Sequence, residues 1–525
     1  MTKKEIIEVV RTNDRLKQKL FCRGFLITND GAINMDEYPF YALWGVTKIR
    51  DYSIVVHPLE QCYITHRNTL SLGLIGHAYD PVIGETSEPV ILNRLADSYC
   101  ADPSSFFGVV NQLTGVFAMF VIKDHEISVL SDATGLQSIF YCKNRDKCYF
   151  SSHANLIGDL LSLAEDDRVT KLKNCATFKY FGNQLPGNIT QFAEVQRVVP
   201  NHYAIFKGDI SQVRFYYPHY IDTDVETICG RFIDLMQNTM HIIPRKWERP
   251  AISLTGGVDS KTTLACTKED ALRYAYFSYD SQKNEAPDAL AASKIARAMQ
   301  LPFKLYRIPY EDDAFPNEEI EGCRKILLWN GGDIRENNPN DVRKRLYFDH
   351  VDDFDVEVKS WVSEIGRARY TKRYYGKRTF GSKPTPRKCT TFYKFLLFSR
   401  ENVRYSDSVF EEYIERYFES DISRPVPWQD QFYWEWHWPS RDGLCLTSEQ
   451  RYAYDITVPY NNRKILELLL SAPQEMRVSD TIYAMVRQRL DPRIDGVTGT
   501  VTDANHTKLR GLLETAYYCA NLLLP

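Results

Sequence analysis

From about residue 20 to 215 the apolar positions come in short runs broken by polar or Gly/Asn turns, the pattern of β-strands. Segments 24–28, 52–56 and 70–76 are the first of these. Segment 115–122 is apolar at successive positions, so both of its faces need cover, as in a strand inside a layered stack. The turn Lys123-Asp124-His125-Glu126 folds it back onto 127–130. A second hairpin runs from 138–141 through Asn144-Arg145-Asp146-Lys147 to 149–152. Pro218 and the polar stretch Ile221-Asp222-Thr223-Asp224 mark a connection.

After about 223 the period changes. A helical pattern over 225–243 precedes a buried strand at 250–254, a glycine turn and a helix from about 259 to 268. A second strand at 274–278, a helix over 286–299 and a third strand at 303–308 follow. Strand–helix–strand–helix–strand predicts a parallel sheet flanked by helices. Helical patterns dominate from about 390, including 463–470 and 509–524. The fold class is therefore α/β: a layered α+β domain over 1–222 and a doubly wound parallel-sheet domain over 223–525.

The 525 residues are 44% hydrophobic and 25% charged, which excludes disordered and fibrous classes. No apolar run approaches the roughly 18 residues of a membrane-spanning helix, and the amphipathic start does not read as a secretory signal. A net charge of −3 and a pI near 6.4 give no general preference for nucleic acid or anionic membrane. The 12 cysteines are scattered without a Cys-x-x-Cys and read as free thiols in a reducing, cytoplasmic setting.

The strongest chemical signal is Ser253-Leu254-Thr255-Gly256-Gly257-Val258-Asp259-Ser260-Lys261, at the carboxyl end of a buried strand and the start of a helix. Ligands of open α/β sheets bind there. Adjacent glycines let backbone N–H groups approach an anion, and a helix N-terminus adds positive potential. Thr255, Ser260 and Lys261 add donors for phosphate oxygens. Asp259 suits Mg²⁺ that neutralises those phosphates. A plain Gly-Gly turn with Asp259 as a helix cap is the structural alternative. The spacing is not that of a Walker loop.

Leu-Thr-Gly-Gly-Val-Asp-Ser resembles the Ser-Gly-Gly-x-Asp-Ser pyrophosphate loop of N-type ATP pyrophosphatases, and within them the asparagine synthetase family. Phe277-Ser278 corresponds to that family's adenine-side strand, and Asp288, Ala292 and Ala296 resemble its Asp/Glu-x-x-x-Ala-x-x-x-Ala helix. In the first half, Leu113, Gly115, Phe117-Ala118, Asp132, Gly135 and Ile139-Phe140-Tyr141 resemble the glutaminase-type domain of the Ntn-hydrolase class. Leu185-Pro186-Gly187, Thr190, Phe192, Val195, Arg197 and Pro200 resemble its end. The resemblance is clear over about 20–300 and weaker over 355–490. It implies ATP and Mg²⁺ as cofactors, cleavage of ATP to AMP and pyrophosphate, and adenylation of a carboxylate.

The departures matter as much. The family's glutaminase uses a cysteine at residue 2, and this chain has Met1-Thr2. Cys22 lies at a strand start but would need cleavage of the peptide before it. An inactive, scaffold-like first domain is expected, as in β-lactam-forming and lasso-peptide-forming relatives. Segment 359–370 is the best match to the family's loop Ser-Gly-Glu-Gly-Ser-Asp-Glu-x-Phe-Gly-Gly-Tyr. Glu364 then falls on the second metal carboxylate, with Ser363 and Tyr370 matching. Trp361 falls where the family carries Glu or Tyr, and an indole takes no proton. Residues Arg367 to Arg400 are basic with interleaved aromatics, which suits a flap over pyrophosphate, a nucleic-acid surface or a solvated loop. Glu449-x-Arg451 with Pro459-Tyr460-Asn461-Asn462 resembles Glu-x-Arg-x-Pro-Phe-Leu-Asp, or is a structural ion pair. The family's late lysine has no clear counterpart. Lys508 is a distant candidate, and Lys261 has the charge to substitute. Trp428, Trp434, Trp436 and Trp438 read as core before pocket.

These readings imply a ligase that adenylates a small-molecule or peptide carboxylate and transfers ammonia or an amine to it. Its catalytic residues are expected to be Lys261, Glu364 and Lys508. Ser253, Thr255, Gly256, Gly257, Asp259, Ser260, Phe277 and Ser278 are expected to bind ATP, and Asp259 and Glu364 the metal. The partners expected are small molecules, with neither nucleic acid nor membrane; a homo-oligomer is left open. An intramolecular β-lactam or macrolactam synthetase and a non-catalytic nucleotide-binding protein are the rival readings.

Overall fold

The computed structural model describes the chain except for residues 182–183, 284, 335–337, 374–380, 382, 394–398, 418–425, 498–507 and 524–525. The first half stacks two six-stranded antiparallel sheets. Phe25–Thr28 is central in one of them, between Lys147–Ser151 and Tyr52–Val56. Thr114–Lys123 is central in the other, between Leu70–Tyr79 and Glu126–Ser131.

Alternation within each strand builds the layers. Phe25, Ile27, Ile54, Ala118, Phe120 and Ile122 meet between the sheets. Phe117, Met119 and Val121 point the other way, onto Ile91, Leu92, Leu95 and Phe106 of the helices Glu88–Ala101 and Pro103–Val110. That accounts for the apolar run at 115–122. Gly73 lies opposite Phe120 in the register, and a Cβ there would come 2.1 Å from the ring. The two short edge strands Gly45–Ile49 and Cys62–Arg67 lack strong apolar alternation and were not expected from the pattern.

The second half is built on a five-stranded, wholly parallel sheet. Its spatial order is Phe303–Arg307, Ala275–Asp280, Pro250–Ser253, Val356–Val358, Asp455–Thr457. Along the chain the strands run outward from Pro250–Ser253 in one direction, then return to its other side. The order therefore reverses between Pro250–Ser253 and Val356–Val358. Loops leaving the carboxyl ends of these two strands part in opposite directions and leave a crevice. The helix Val258–Thr267 follows the first strand, and the turn Ser363–Arg367 follows the second.

One core runs through both halves, joining Leu26, Tyr79 and Phe140 to Ile252, Phe277 and Trp434. Trp428, Trp434, Trp436 and Trp438 are all buried, which supports packing as their role. Among the described residues no helix is long and apolar enough to cross a membrane. Thr2 caps the helix Lys3–Arg11, exchanging hydrogen bonds with Glu5. Cys22 is buried three residues before the first strand, with Sγ 3.8 Å from the carbonyl oxygen of Arg451, and burial pushes its thiol up.

Candidate functional site at the sheet's switch point

The nucleotide-loop segment leaves the strand Pro250–Ser253 and is closed by its own side chains. The Thr255 N–H donates to Ser260 Oγ at 3.1 Å, the Gly257 N–H donates to Thr255 Oγ1 at 3.1 Å, and the two hydroxyls lie 2.9 Å apart. Gly257 has an ordinary extended backbone, φ −73°. Its value is bareness, because a Cβ would stand 3.1 Å from the Thr255 hydroxyl. The Gly256 N–H donates to Asp288 Oδ1 at 3.2 Å, so the helix Ala286–Ala298 supplies a carboxylate to the loop.

The second loop comes from the far side of the switch point. Ser363 Oγ donates to Asp259 Oδ1 at 2.6 Å, and Ser360 Oγ lies 2.7 Å from Thr263 Oγ1. Val362 and Ala368 bracket this turn in the left-handed region, at φ 78° and 46°. Such backbone is costly for side chains with a Cβ and is retained where the surroundings enforce it. Gly366 packs against Leu469, with 2.5 Å from an ideal Cβ to the leucine Cβ. The turn is thereby pressed onto the helix Arg463–Ser471.

Arg367 is the group that pattern reading missed. Its Nη1 contacts both oxygens of Asp259, at 3.0 and 2.8 Å. Its Nε and Nη2 donate to the two oxygens of Asp480, each at 2.8 Å, and Lys372 Nζ reaches Asp480 at 2.6 Å. Burial opposes ionisation of Asp480, but Arg367 and Lys372 outweigh it and hold the carboxyl below its ordinary value. In the sequence Arg367 was visible only as the first charge of a basic stretch. Lys377, Arg378 and Lys394 of that stretch lie outside the described residues.

Glu364 sits beside this cluster. Its Oε2 is sealed from solvent and makes no hydrogen bond. Burial, and then the charge of Asp259, push its carboxyl up to about 7 against the pull of Arg369 and Arg367. The two carboxylates are near enough for the charge of Asp259 to act on Glu364, and Arg367 already contacts both Asp259 oxygens. They suit Mg²⁺, which takes one or two carboxylates and fills its shell with water and phosphate oxygens. Among the described residues no group of three or more His, Cys, Asp or Glu forms a metal cluster.

The other expected site residues are placed as follows. Lys261 is buried, with Nζ 3.1 Å from Asp495, which also takes Arg487; Nζ makes no hydrogen bond, to the Thr255–Ser260 pair or elsewhere. Phe277 is stacked on Phe354 at 5.1 Å within an aromatic layer, and Ser278 beside it is buried. Ser253 pairs with Phe277 in the sheet register. Trp361 meets Trp438 edge-on at 6.3 Å and carries Lys359 Nζ 4.5 Å over its ring. Lys508 opens the last helix, and its side chain lies outside the described residues. Of the expected aromatic and basic flap, 374–380, 382 and 394–398 lie outside the described residues; within the rest, Pro386–Thr391 is a helix whose Arg387 pairs with Asp407 at 2.8 Å.

A cavity lies away from the site. A space of about 400 Å³ lies at the opposite end of the helix Val258–Thr267, lined by Leu264, Leu272, Met299, Leu490 and Arg493. Lys268, Glu269 and Asp491 also line it.

No family model matches the sequence, and no curated protein matches it either. Solved structures give partial likenesses. Glutamine phosphoribosylpyrophosphate amidotransferase from B. subtilis, complexed with ADP and GMP, is 10% identical at a TM-score of 0.23, covering 56% of this chain and 61% of its own. An allosteric regulatory enzyme of purine biosynthesis is 11% identical at a TM-score of 0.24, covering 47% and 57%. Glutamine-dependent NAD+ synthetase from Acinetobacter baumannii, complexed with ADP, is 15% identical at a TM-score of 0.18, covering 30% and 27%. In each case this chain spans less than two thirds of the other's length. The fold assignment rests on the sheet topology described above.

Proposed function

We propose that this chain is an ATP-dependent, amide-forming ligase of asparagine synthetase type. Its first domain, 1–222, serves as a scaffold, and 223–525 carries the chemistry. The observation that carries the reading is the 2.6 Å hydrogen bond from Ser363, the neighbour of Glu364, to Asp259 across the switch point, beside a hydroxyl- and glycine-lined helix N-terminus. In the reaction a carboxylate oxygen attacks the α-phosphorus of ATP, the bond to the β-phosphate oxygen breaks, and pyrophosphate leaves with the electron pair. Ammonia or an amine then attacks the acyl carbon, AMP departs, and a proton is lost from nitrogen.

Thr255, Gly256, Gly257 and Ser260 would bind and orient the departing pyrophosphate through N–H and O–H donors. Asp259 and Glu364 would hold Mg²⁺, which supplies neutralisation of the phosphate charge. Cys22 is closed into the interface, which supports free ammonia or an amine, and not glutamine, as the nitrogen source.

The test is release of AMP and pyrophosphate from Mg·ATP and ammonium in the presence of a fractionated metabolite extract, with Asp259→Asn as control. Pyrophosphate that disappears in the variant supports adenylation, and the active fraction contains the carboxylate. A protein that binds ATP yet releases no AMP with any fraction would instead be a nucleotide-binding relative without turnover. The indole of Trp361, boxed between Trp438 and Lys359, favours that second reading.

A further inference from the structure

Arg367 has a geometry that the reading above leaves unused. Its guanidinium is divided between two carboxylates. The Nε/Nη2 edge forms a bidentate fork with Asp480, at 2.8 Å on each arm. Such a fork fixes the plane as well as the position of the group. The remaining corner, Nη1, lies against Asp259, the second residue of the helix whose amino end carries Gly256 and Gly257. Tyr483 supports the guanidinium, 5.8 Å away from the ring centroid, and its own hydroxyl donates to the Ser363 carbonyl at 3.0 Å.

Asp480 is itself strongly held. It is the residue before the helix Thr481–Leu490, stands at φ 58°, and takes Lys372 as well as Arg367. Lys372 shares the charge of Asp480, so Arg367 is not its sole counter-ion. Nη1 lies on both Asp259 oxygens, so a phosphate that approaches this corner exchanges with or shares the Asp259 contact while the Asp480 fork stays in place. Lys261, the nearest lysine in the chain to this loop, has Nζ 3.1 Å from Asp495 but makes no hydrogen bond and does not touch Asp259. Among the described residues Arg367 is the cation that is both fixed in plane by a fork and in contact with the carboxylate at the start of the loop's helix.

We propose that Arg367, held by Asp480, is the arm that binds the β- and γ-phosphates of the nucleotide and then the leaving pyrophosphate. This rests on the nucleotide reading of the site. It adds the group that meets the charge of the leaving pyrophosphate, and it makes Asp480 a positioning residue. The arm sits where the two loops of the switch point meet, so it contacts the nucleotide only when both loops are in place.

Isothermal titration of the full-length protein with Mg·ATP, with inorganic pyrophosphate and with AMP tests this. Arg367→Met should weaken Mg·ATP and pyrophosphate by about tenfold to a hundredfold, the effect of losing a charge-assisted hydrogen bond, and leave AMP unchanged. Arg367→Lys should recover part of that loss. Asp480→Asn should show the same selectivity with a smaller loss, because the arm remains charged but is no longer forked. Arg367→Lys and Asp480→Asn decide the question if the methionine variant melts early. Variants that melt like wild type and bind Mg·ATP and pyrophosphate equally well or better overturn the proposal while leaving the nucleotide reading intact. A wild type that binds none of the three probes overturns both.

Discussion

Arg451 donates from Nη2 to Glu60 Oε2 at 2.5 Å, with the two side chains 1% and 3% exposed. Its Nε reaches Asp455 and its Nη1 reaches Gln137, each at 2.8 Å. A residue from the Glu449-x-Arg451 motif thus locks the parallel-sheet half to the layered half. Asn461 and Asn462 act alongside it, donating to the carbonyls of Gly115 and Gln112 at 2.6 and 2.8 Å. Removing one partner leaves the other charge buried. Glu60→Ala should lower stability in urea unfolding by less than the roughly 3–5 kcal/mol of an unpaired buried charge, because Asp455 still holds Arg451, and Arg451→Met, which strips both Glu60 and Asp455, should cost more. Equal stability of Glu60→Ala and wild type would remove the ion pair from the list of forces joining the halves.

Glu364 makes stability depend on pH. Its folded-state value of about 7 lies above the ordinary 4.5. Between those two values the folded chain binds more protons than the unfolded one, so this contribution is complete below the window and is lost as pH rises through 7. Wild type should lose melting temperature relative to Glu364→Gln as the buffer goes from mildly acid to mildly alkaline. Parallel melting curves for the two proteins across that range would contradict the buried, protonatable carboxyl.

Histidine gives the opposite slope. Burial lowers His57 to about 3; Arg23 and Lys19 lower it further, against a hydrogen bond to Gln18 that raises it. Its Nε2 lies 2.9 Å from the Gln18 carbonyl and its Nδ1 accepts from the Leu59 N–H at 3.1 Å, which defines a neutral tautomer. Burial also lowers His153 to about 3, with His57 and Arg451 adding to it. The unfolded chain takes up protons below its ordinary 6.5 that the folded chain refuses, so stability falls as pH falls from there towards 3. Thermal melts should show this loss, and His57→Gln should flatten it.

The Thr255 hydroxyl accepts from the Gly257 N–H and contacts Ser260 Oγ. Thr255→Val keeps the shape and removes the hydroxyl, so it should weaken Mg·ATP about tenfold, while Thr255→Ser should bind like wild type. Equal binding by the valine variant would show that the hydroxyl only shapes the turn.

Much of the fold was legible in the sequence because it is written in local periods. The strand Tyr52–Val56, the hairpin Thr114–Lys123 to Glu126–Ser131 and the helix Ala286–Ala298 follow from alternation or helical spacing, each with turn residues at its ends. The loop from Thr255 to Ser260 stood out because glycines, hydroxyls and a carboxylate gather within a few residues of one strand end. The three-residue strands Val356–Val358 and Asp455–Thr457 have no such period and exist because neighbours pair with them.

What the sequence could not determine is which distant residues share the crevice. The reversal of strand order brings Ser363 and Arg367 to Asp259 across more than 100 positions, and Arg367 to Asp480 across 113. It also brought Asp495 within 3.1 Å of Lys261, a neighbour that spacing along the chain does not show. Charge alone identified Arg367 as basic; only packing made it a fixed arm. Local order is encoded in spacing along the chain, whereas the chemistry of this site depends on which strand ends the sheet places side by side.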